Sequence, residues 1–205
     1  MISHLHALLP NDPTFVDQEI QRVVERGKVR RLMININAGD VVIDGGQYSK
    51  IINEAKELHS ENTDIYDKFE KLLASRPAVT KVTFNDLADA DILEEFGIRE
   101  LINSGFLVLS GSPGTYLISV PNIGSFLKLA FSTRKWVVNS LQRNQWKESL
   151  EKLLQERYLA NVKQRWRDFK GVGFQWIMME VKGGGWCEPF GTPVGRGWKL
   201  TGKKE

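Results

Sequence analysis

The chain has 205 residues, 41% of them hydrophobic, and a net charge of only +3, which is enough apolar material for one large core or several small ones. Its single cysteine, Cys187, excludes an internal disulfide and points to a reducing compartment, cytosol or nucleus. No run approaches the roughly 18 apolar residues of a membrane helix, and no basic stretch precedes the apolar N-terminus as it would in a signal peptide.

Residues 2–9 read as a short helix cut off by Pro10. A second helix starts at Asp12-Pro13-Thr14, with Phe15, Gln18-Glu19-Ile20 and Val23-Val24 at helical spacing. Gly27 ends it, because glycine reaches the left-handed backbone that a helix C-terminus needs. Residues 28–34 and 40–44 are strand-like, around a turn at 35–39. Asp44-Gly45-Gly46 reads as a linker. Residues 48–58 form a helix with Ile51, Ile52, Ala55 and Leu58 on one side. Thr63 or Asp64 caps the next, to Ala74, with Ile65, Phe69, Leu72 and Leu73 inward. Pro77 breaks it. Thr83, with Asp86 three residues later, caps another helix, whose pair is 97–104. Gly105 ends that one, and residues 106–109 and 115–120 make a hairpin around Ser110-Gly111-Ser112-Pro113-Gly114. A helix-turn-helix, a glycine and a hairpin make a winged helix.

Pro121-Asn122 opens the longest helix, to Asn144, on the stripe Ile123, Phe126-Leu127, Ala130-Phe131, Val137-Val138 and Leu141. Lys128, Lys135 and Arg143 fall in one sector off that stripe. Residues 146–159 continue helically, with Leu150, Leu153, Leu154 and Tyr158 inward. Residues 163–170 mix basic and aromatic side chains before a helix over 174–182. Gly183-Gly184-Gly185 breaks it, and 186–190 with 197–201 form a last hairpin, its first strand an edge because of Pro189. Gly27, Gly105 and Gly183 lie 78 residues apart, each followed by the same order of elements. The expected fold is α+β, mostly helical, with three tandem winged-helix domains over 1–45, 46–120 and 121–205, the last including the long helix.

Charge divides along the chain. Residues 1–120 carry 12 Lys and Arg against 18 Asp and Glu; residues 121–205 carry 16 against 7 and hold all six tryptophans. Such asymmetry suits a polyanion partner for the C-terminal part. Catalytic chemistry is harder to place. His4, His6 and His59 have no ligand spacing to Cys187, so no metal is expected. The run 197–204 matches a phosphate-loop pattern until Lys204 takes the place of its Ser or Thr, and no helix can follow it. There is no nucleophile elbow, and Glu94-Glu95 reads as solvated surface. No catalytic residue and no cofactor are expected.

Several stretches are similar to one family. Leu8-Leu9-Pro10-Asn11, then Phe15-Val16-Asp17-Gln18-Glu19-Ile20 and Gly27-Lys28-Val29-Arg30, resemble the opening of the serine/threonine-protein kinase 19 family. So do residues 96–107, the run Val120-Pro121-Asn122-Ile123-Gly124-Ser125-Phe126-Leu127-Lys128, and Trp146-Lys147-Glu148-Ser149-Leu150; residues 186–196 fit least well. Despite the name, no kinase Gly-rich loop, His-Arg-Asp or Asp-Phe-Gly is present, and Asp168-Phe169-Lys170 comes nearest to the last. The resemblance implies tandem winged-helix proteins that bind double-stranded DNA. It implies nuclear, chromatin-associated factors of transcription-coupled nucleotide excision repair, docked between stalled polymerase, repair proteins and downstream DNA.

The DNA-binding set expected is Lys128, Arg134, Lys135, Arg143 and Lys147 on or after the long helix, Lys163, Arg165, Arg167 and Lys170 beyond it, and Arg196 and Lys199 near the third wing. Arg134 falls near the apolar stripe, whereas Lys135, Arg143 and Lys147 lie in segments that match basic segments of the family. No base-reading pattern stands out, so weak sequence preference is expected. Lys28, Arg30 and Arg31 form a smaller basic strand, and the helix over 98–104 is too poor in donors to read a major groove. Two other classes stand beside DNA binding: a protein-interaction scaffold, since winged helices also bind proteins and the front half is acidic, and the kinase of the family name. Exposed tryptophans would suit a symmetric dimer.

Overall fold

The structure is a computed structural model and describes residues 1–9, 12–33, 40–92 and 94–203, the side chains of Glu94 and Glu95 excepted. The expected 35–39 turn, Pro10-Asn11 and Lys204 lie outside the described residues. The chain is α+β, mainly helical with small antiparallel sheets. The elements run α1 (Ile2–Leu8), α2 (Pro13–Glu25), β1 (Val29–Leu32), β2 (Val41–Asp44), α3 (Gly45–Leu58), α4 (Thr63–Ser75), β3 (Lys81–Thr83), α5 (Phe84–Asp89), a π-turn at Glu94–Ile98, α6 (Arg99–Asn103), β4 (Leu107–Leu109) and β5 (Thr115–Ile118). They continue with α7 (Ile123–Gln142), β6 (Glu148–Leu150), α8 (Glu151–Gln164), α9 (Trp166–Phe169), α10 (Phe174–Gly183), β7 (Cys187–Thr192) and β8 (Gly195–Leu200). Packing gathers them into two compact units: residues 14–33 with 40–123, and the N-terminal helix α1 with 124–203.

In the first unit the core closes on Phe106, which is fully buried. The rings of Tyr48, Phe69 and Tyr66 stand 6.1, 6.0 and 5.9 Å from it, two of them edge-on, the arrangement aromatic quadrupoles favour. Gly105 holds φ at +84° just before it, so the chain turns sharply from α6 into β4. Leu32, Val41 and Ile43 of the first hairpin pack into this same core. Arg30 of β1 is buried there, and its guanidinium donates to the carbonyls of Leu73 (2.7 Å) and Val79 (3.2 Å), supplying donors to the end of α4. Thr83 and Asp86 form the full capping box of α5: the Asp86 N–H donates to Thr83 Oγ1 at 3.2 Å, and the Thr83 N–H donates to Asp86 Oδ2 at 2.8 Å. Hydrogen bonds from the Thr83 hydroxyl and amide, with Arg76 beside them, hold the Asp86 carboxyl down at about 2.

One expectation fails in this unit, and one strand carries no local signature. Gly45 and Gly46 are not a linker but the first turn of α3, whose N-cap is Asp44 accepting from the Gln47 N–H at 3.0 Å. A side chain at Gly45 would come within 2.6 Å of the Gly27 carbonyl, so glycine serves close packing there. The strand β3 was also not foreseen. It has three residues and exists through pairing with β5, which lies between it and β4.

The second unit repeats that sheet order, β6-β8-β7, with Pro189 on the edge strand as expected. Its core joins Val137 and Leu141 of α7 to Leu154 and Tyr158 of α8, Ile177 and Val181 of α10, Trp186 and Trp198. The Tyr158 hydroxyl donates to the Val172 carbonyl (2.7 Å), and the Trp198 indole donates to Glu151 (2.7 Å). The helix expected from Trp146 begins only at Glu151. Residues 148–150 are instead β6, paired with β8 some fifty positions away (Glu148 opposite Lys199), a contact no local pattern announces. Leu153 is exposed rather than inward, as are Trp146 and Trp166.

The glycine triplet ends α10 as expected, through Gly185 rather than Gly183 itself. Gly183 is the last residue of the helix, and the left-handed residue is Gly185, with φ +71°. Gly183 is instead where α1 crosses: an added Cβ would fall 1.6 Å from the Ser3 carbonyl oxygen and 2.9 Å from the Ala7 nitrogen. Gly183→Ala is expected to destabilise the protein by about 1–3 kcal/mol in a urea titration, as overpacking does. Gly191→Ala, where the added methyl meets open space, stays within about 0.5 kcal/mol.

Candidate nucleic-acid interface

Helix α7 has two unlike sides. Ala130, Thr133, Arg134, Val137, Val138 and Leu141 are buried, while Lys128, Lys135, Asn139, Gln142 and Arg143 are exposed. At 3.6 residues per turn, positions 128, 135 and 142 fall within about 40° of one line, successive members about 10 Å apart. The two lysines and Gln142 therefore share a stripe, and Arg143 lies beside it.

The chain then turns back on itself. Lys147 sits in the left-handed region, φ 55°. Its N–H donates to the Asn144 carbonyl (3.0 Å), and its carbonyl accepts the Leu200 N–H (3.1 Å). These bonds tie the end of α7 to the segment leaving β8. Between them lies a groove of about 550 Å³, lined by Lys135, Asn139, Gln142, Lys147, Trp186 and Lys203 among others. The Lys203 ammonium donates to the Gly184 carbonyl (2.7 Å) and stands 4.9 Å from the centre of the Trp186 ring. Lys203 was not in the expected set, and nothing local marks a lysine in a terminal tail as returning to α7.

Arg134, expected to touch DNA, faces the core instead and is 3% exposed. It lies three, four and seven positions before Val137, Val138 and Leu141, on the buried stripe. Its partner is Glu180 of α10, 1% exposed, at 3.4 Å. The Ser3 hydroxyl also donates to Glu180, and His4 Nδ1 lies 3.5 Å from it while His4 Nε2 meets the Trp176 carbonyl at 3.0 Å. Burial lowers the His4 pKa against the opposing pull of Glu180.

The remaining expected cations are exposed and do not line the groove. Lys163, Arg165, Arg167 and Lys170 surround the end of α8 and α9, and Arg165 is paired with Asp168 at 2.6 Å. Arg196 faces Glu151 at 3.7 Å, and Lys199 pairs with Glu188 at 2.9 Å, with Glu148 opposite on β6. On α10 only Gln175 and Lys182 are polar and exposed, and Lys182 donates to the Ala7 carbonyl of α1 at 3.0 Å. This helix offers little to a base edge. Of the small basic strand, Arg30 is buried and Arg31 is paired with Asp40.

Among the described residues no cluster of three or more His, Cys, Asp and Glu could hold a metal, and no helix is long and apolar enough to cross a membrane. Burial pushes the Cys187 thiol up to about 12, so it is not a ready nucleophile. Residues 197–200 of the phosphate-loop-like run are strand β8. Arg134→Ala leaves the Glu180 carboxylate buried without its guanidinium and is expected to cost about 3–5 kcal/mol of unfolding free energy.

A model of the family described as inactive serine-threonine protein kinase 19 matches residues 1–200. The chain is also similar to a Schizosaccharomyces pombe protein named serine/threonine-protein kinase mug51. The two are 26% identical over 211 residues, covering 98% of this chain and 66% of that protein. This chain thus spans just under two thirds of that relative's length. One name says kinase, while the family description says inactive. The match over residues 1–200 makes the chain a member of the inactive serine-threonine protein kinase 19 family.

Proposed function

We propose that the protein is a tandem winged-helix factor that binds double-stranded DNA with little sequence preference. The helix–strand–helix–helix–hairpin order from α4 to β5, repeated from α7 to β8 with the four-residue α9 interposed, and the shared sheet order of β3-β5-β4 and β6-β8-β7 support winged helices in both units. The observation that carries the DNA reading is the exposed cationic stripe of α7 running into the groove of Lys135, Lys147 and Lys203. Lysines in a row neutralise phosphates and release counterions, which gives affinity without reading bases. Lysine is a point charge rather than a fork, so it suits a backbone better than a guanine edge. In this reading the protein is nuclear, and it bridges DNA to transcription and repair proteins in transcription-coupled nucleotide excision repair. That part rests on the family resemblance.

A second reading, a protein-interaction scaffold, has its own support in the first unit. Its sequence carries an excess of acid, and it exposes Phe96 and Leu109, at 76% and 69%. The two readings coexist if the first unit holds proteins and the second holds DNA. Fluorescence anisotropy with a labelled duplex of about 20–30 base pairs separates them: duplex binding falls steeply with salt and is lost in the Lys135→Glu/Arg143→Glu/Lys147→Glu variant. No binding by the wild-type chain at low salt would leave only the scaffold.

A further inference from the structure

We propose that Lys135, Lys147 and Lys203 form one phosphate seat within the groove, and that Lys147 is placed in it by its strained backbone. This deepens the duplex-binding reading and rests on it. Two features single out these lysines from Arg165, Arg196 and Lys199 of the same unit, and a third, a left-handed backbone, is one that Lys147 shares with Lys170. None of the described residues lining the groove is acidic, so their charge is not met locally. By contrast, Arg196, Lys199 and Arg165 each face a carboxylate. Next, Lys203 is held before any ligand arrives. One of its three N–H donors goes to the Gly184 carbonyl, and the ammonium rests over Trp186, whose ring also has the Arg134 guanidinium 5.1 Å from its centre. The remaining donors are free to meet phosphate oxygens. The seat therefore loses less freedom on binding than three mobile lysines would.

The third feature is Lys147 itself. A left-handed φ of 55° suits glycine or asparagine and strains a lysine. The chain keeps a lysine here, with its backbone locked by Asn144 and Leu200. Strain held in place by surrounding bonds clusters at binding sites. Asn139 and Gln142, on the same groove wall, add amide N–H donors.

The inference separates stability from binding. Lys147→Gly relieves the backbone strain and removes the charge, so its melting temperature is expected to equal or exceed that of the wild type. Its duplex affinity nevertheless falls, and the slope of log K against log salt drops by about one. Lys203→Ala lowers the slope by about one as well. Lys199→Ala, already paired with Glu188, leaves the slope unchanged. Should the wild type bind with steep salt dependence while Lys147→Gly and Lys203→Ala both match it, the seat is overturned and the broader DNA reading stands. If the wild type does not bind duplex at all, both fall.

Discussion

Glu180 is a carboxylate with almost no contact with water, and the second unit is built around holding its charge. An isolated buried carboxylate is untenable, so the fold supplies Arg134 from α7 and Ser3 and His4 from α1. That requirement draws α1 across α10, and the crossing is close enough that only glycine fits at position 183. It also sets the rotation of α7. With Arg134 inward, Lys128, Lys135 and Arg143 must point outward, because successive residues turn by about 100°. The cationic stripe is thus the reverse side of the buried ion pair. The same arrangement covers α10, the helix that would enter a major groove in a helix-turn-helix protein.

Net charge alone does not identify the binding face. The C-terminal part carries 16 basic residues, but carboxylates already face Arg196 and Lys199 of the hairpin and Arg165 ahead of α9. Such exposed pairs add little stability, yet they lower the potential a phosphate would meet. The groove between α7 and the segment after β8 differs in having lysines without acid among its lining residues. Neutralisation state sets the candidate surface apart from Arg165, Arg196 and Lys199.

Local patterns made much of the chain legible in advance. The capping box at Thr83, the Ala130, Val137, Val138 and Leu141 part of the apolar stripe of α7 and the left-handed glycines 27 and 105 follow from residues close in sequence, and each stands in the structure, whereas Phe126 and Phe131 of that stripe are exposed. What escaped depends on distant partners. The strands β3 and β6 are three residues long and are strands only because β5 and β8 lie beside them. The role of Gly183 depends on a helix some 180 positions earlier. Arg134 shows the same limit at the candidate site: its place on the apolar stripe was visible, but the buried acid that draws it inward lies 46 residues away. Lys203 looked like part of a failed phosphate loop and came to the groove through the path of the chain after β8.

The most direct measurement of the central claim, that duplex DNA lies along α7 and the segment after β8, is lysine-acylation footprinting of the full chain with and without duplex, read by mass spectrometry. The account predicts protection of Lys128, Lys135, Lys147 and Lys203, with Lys50, Lys56 and Lys81 of the first unit unchanged. Protection confined to the first unit, or to Lys182 on α10, would contradict it.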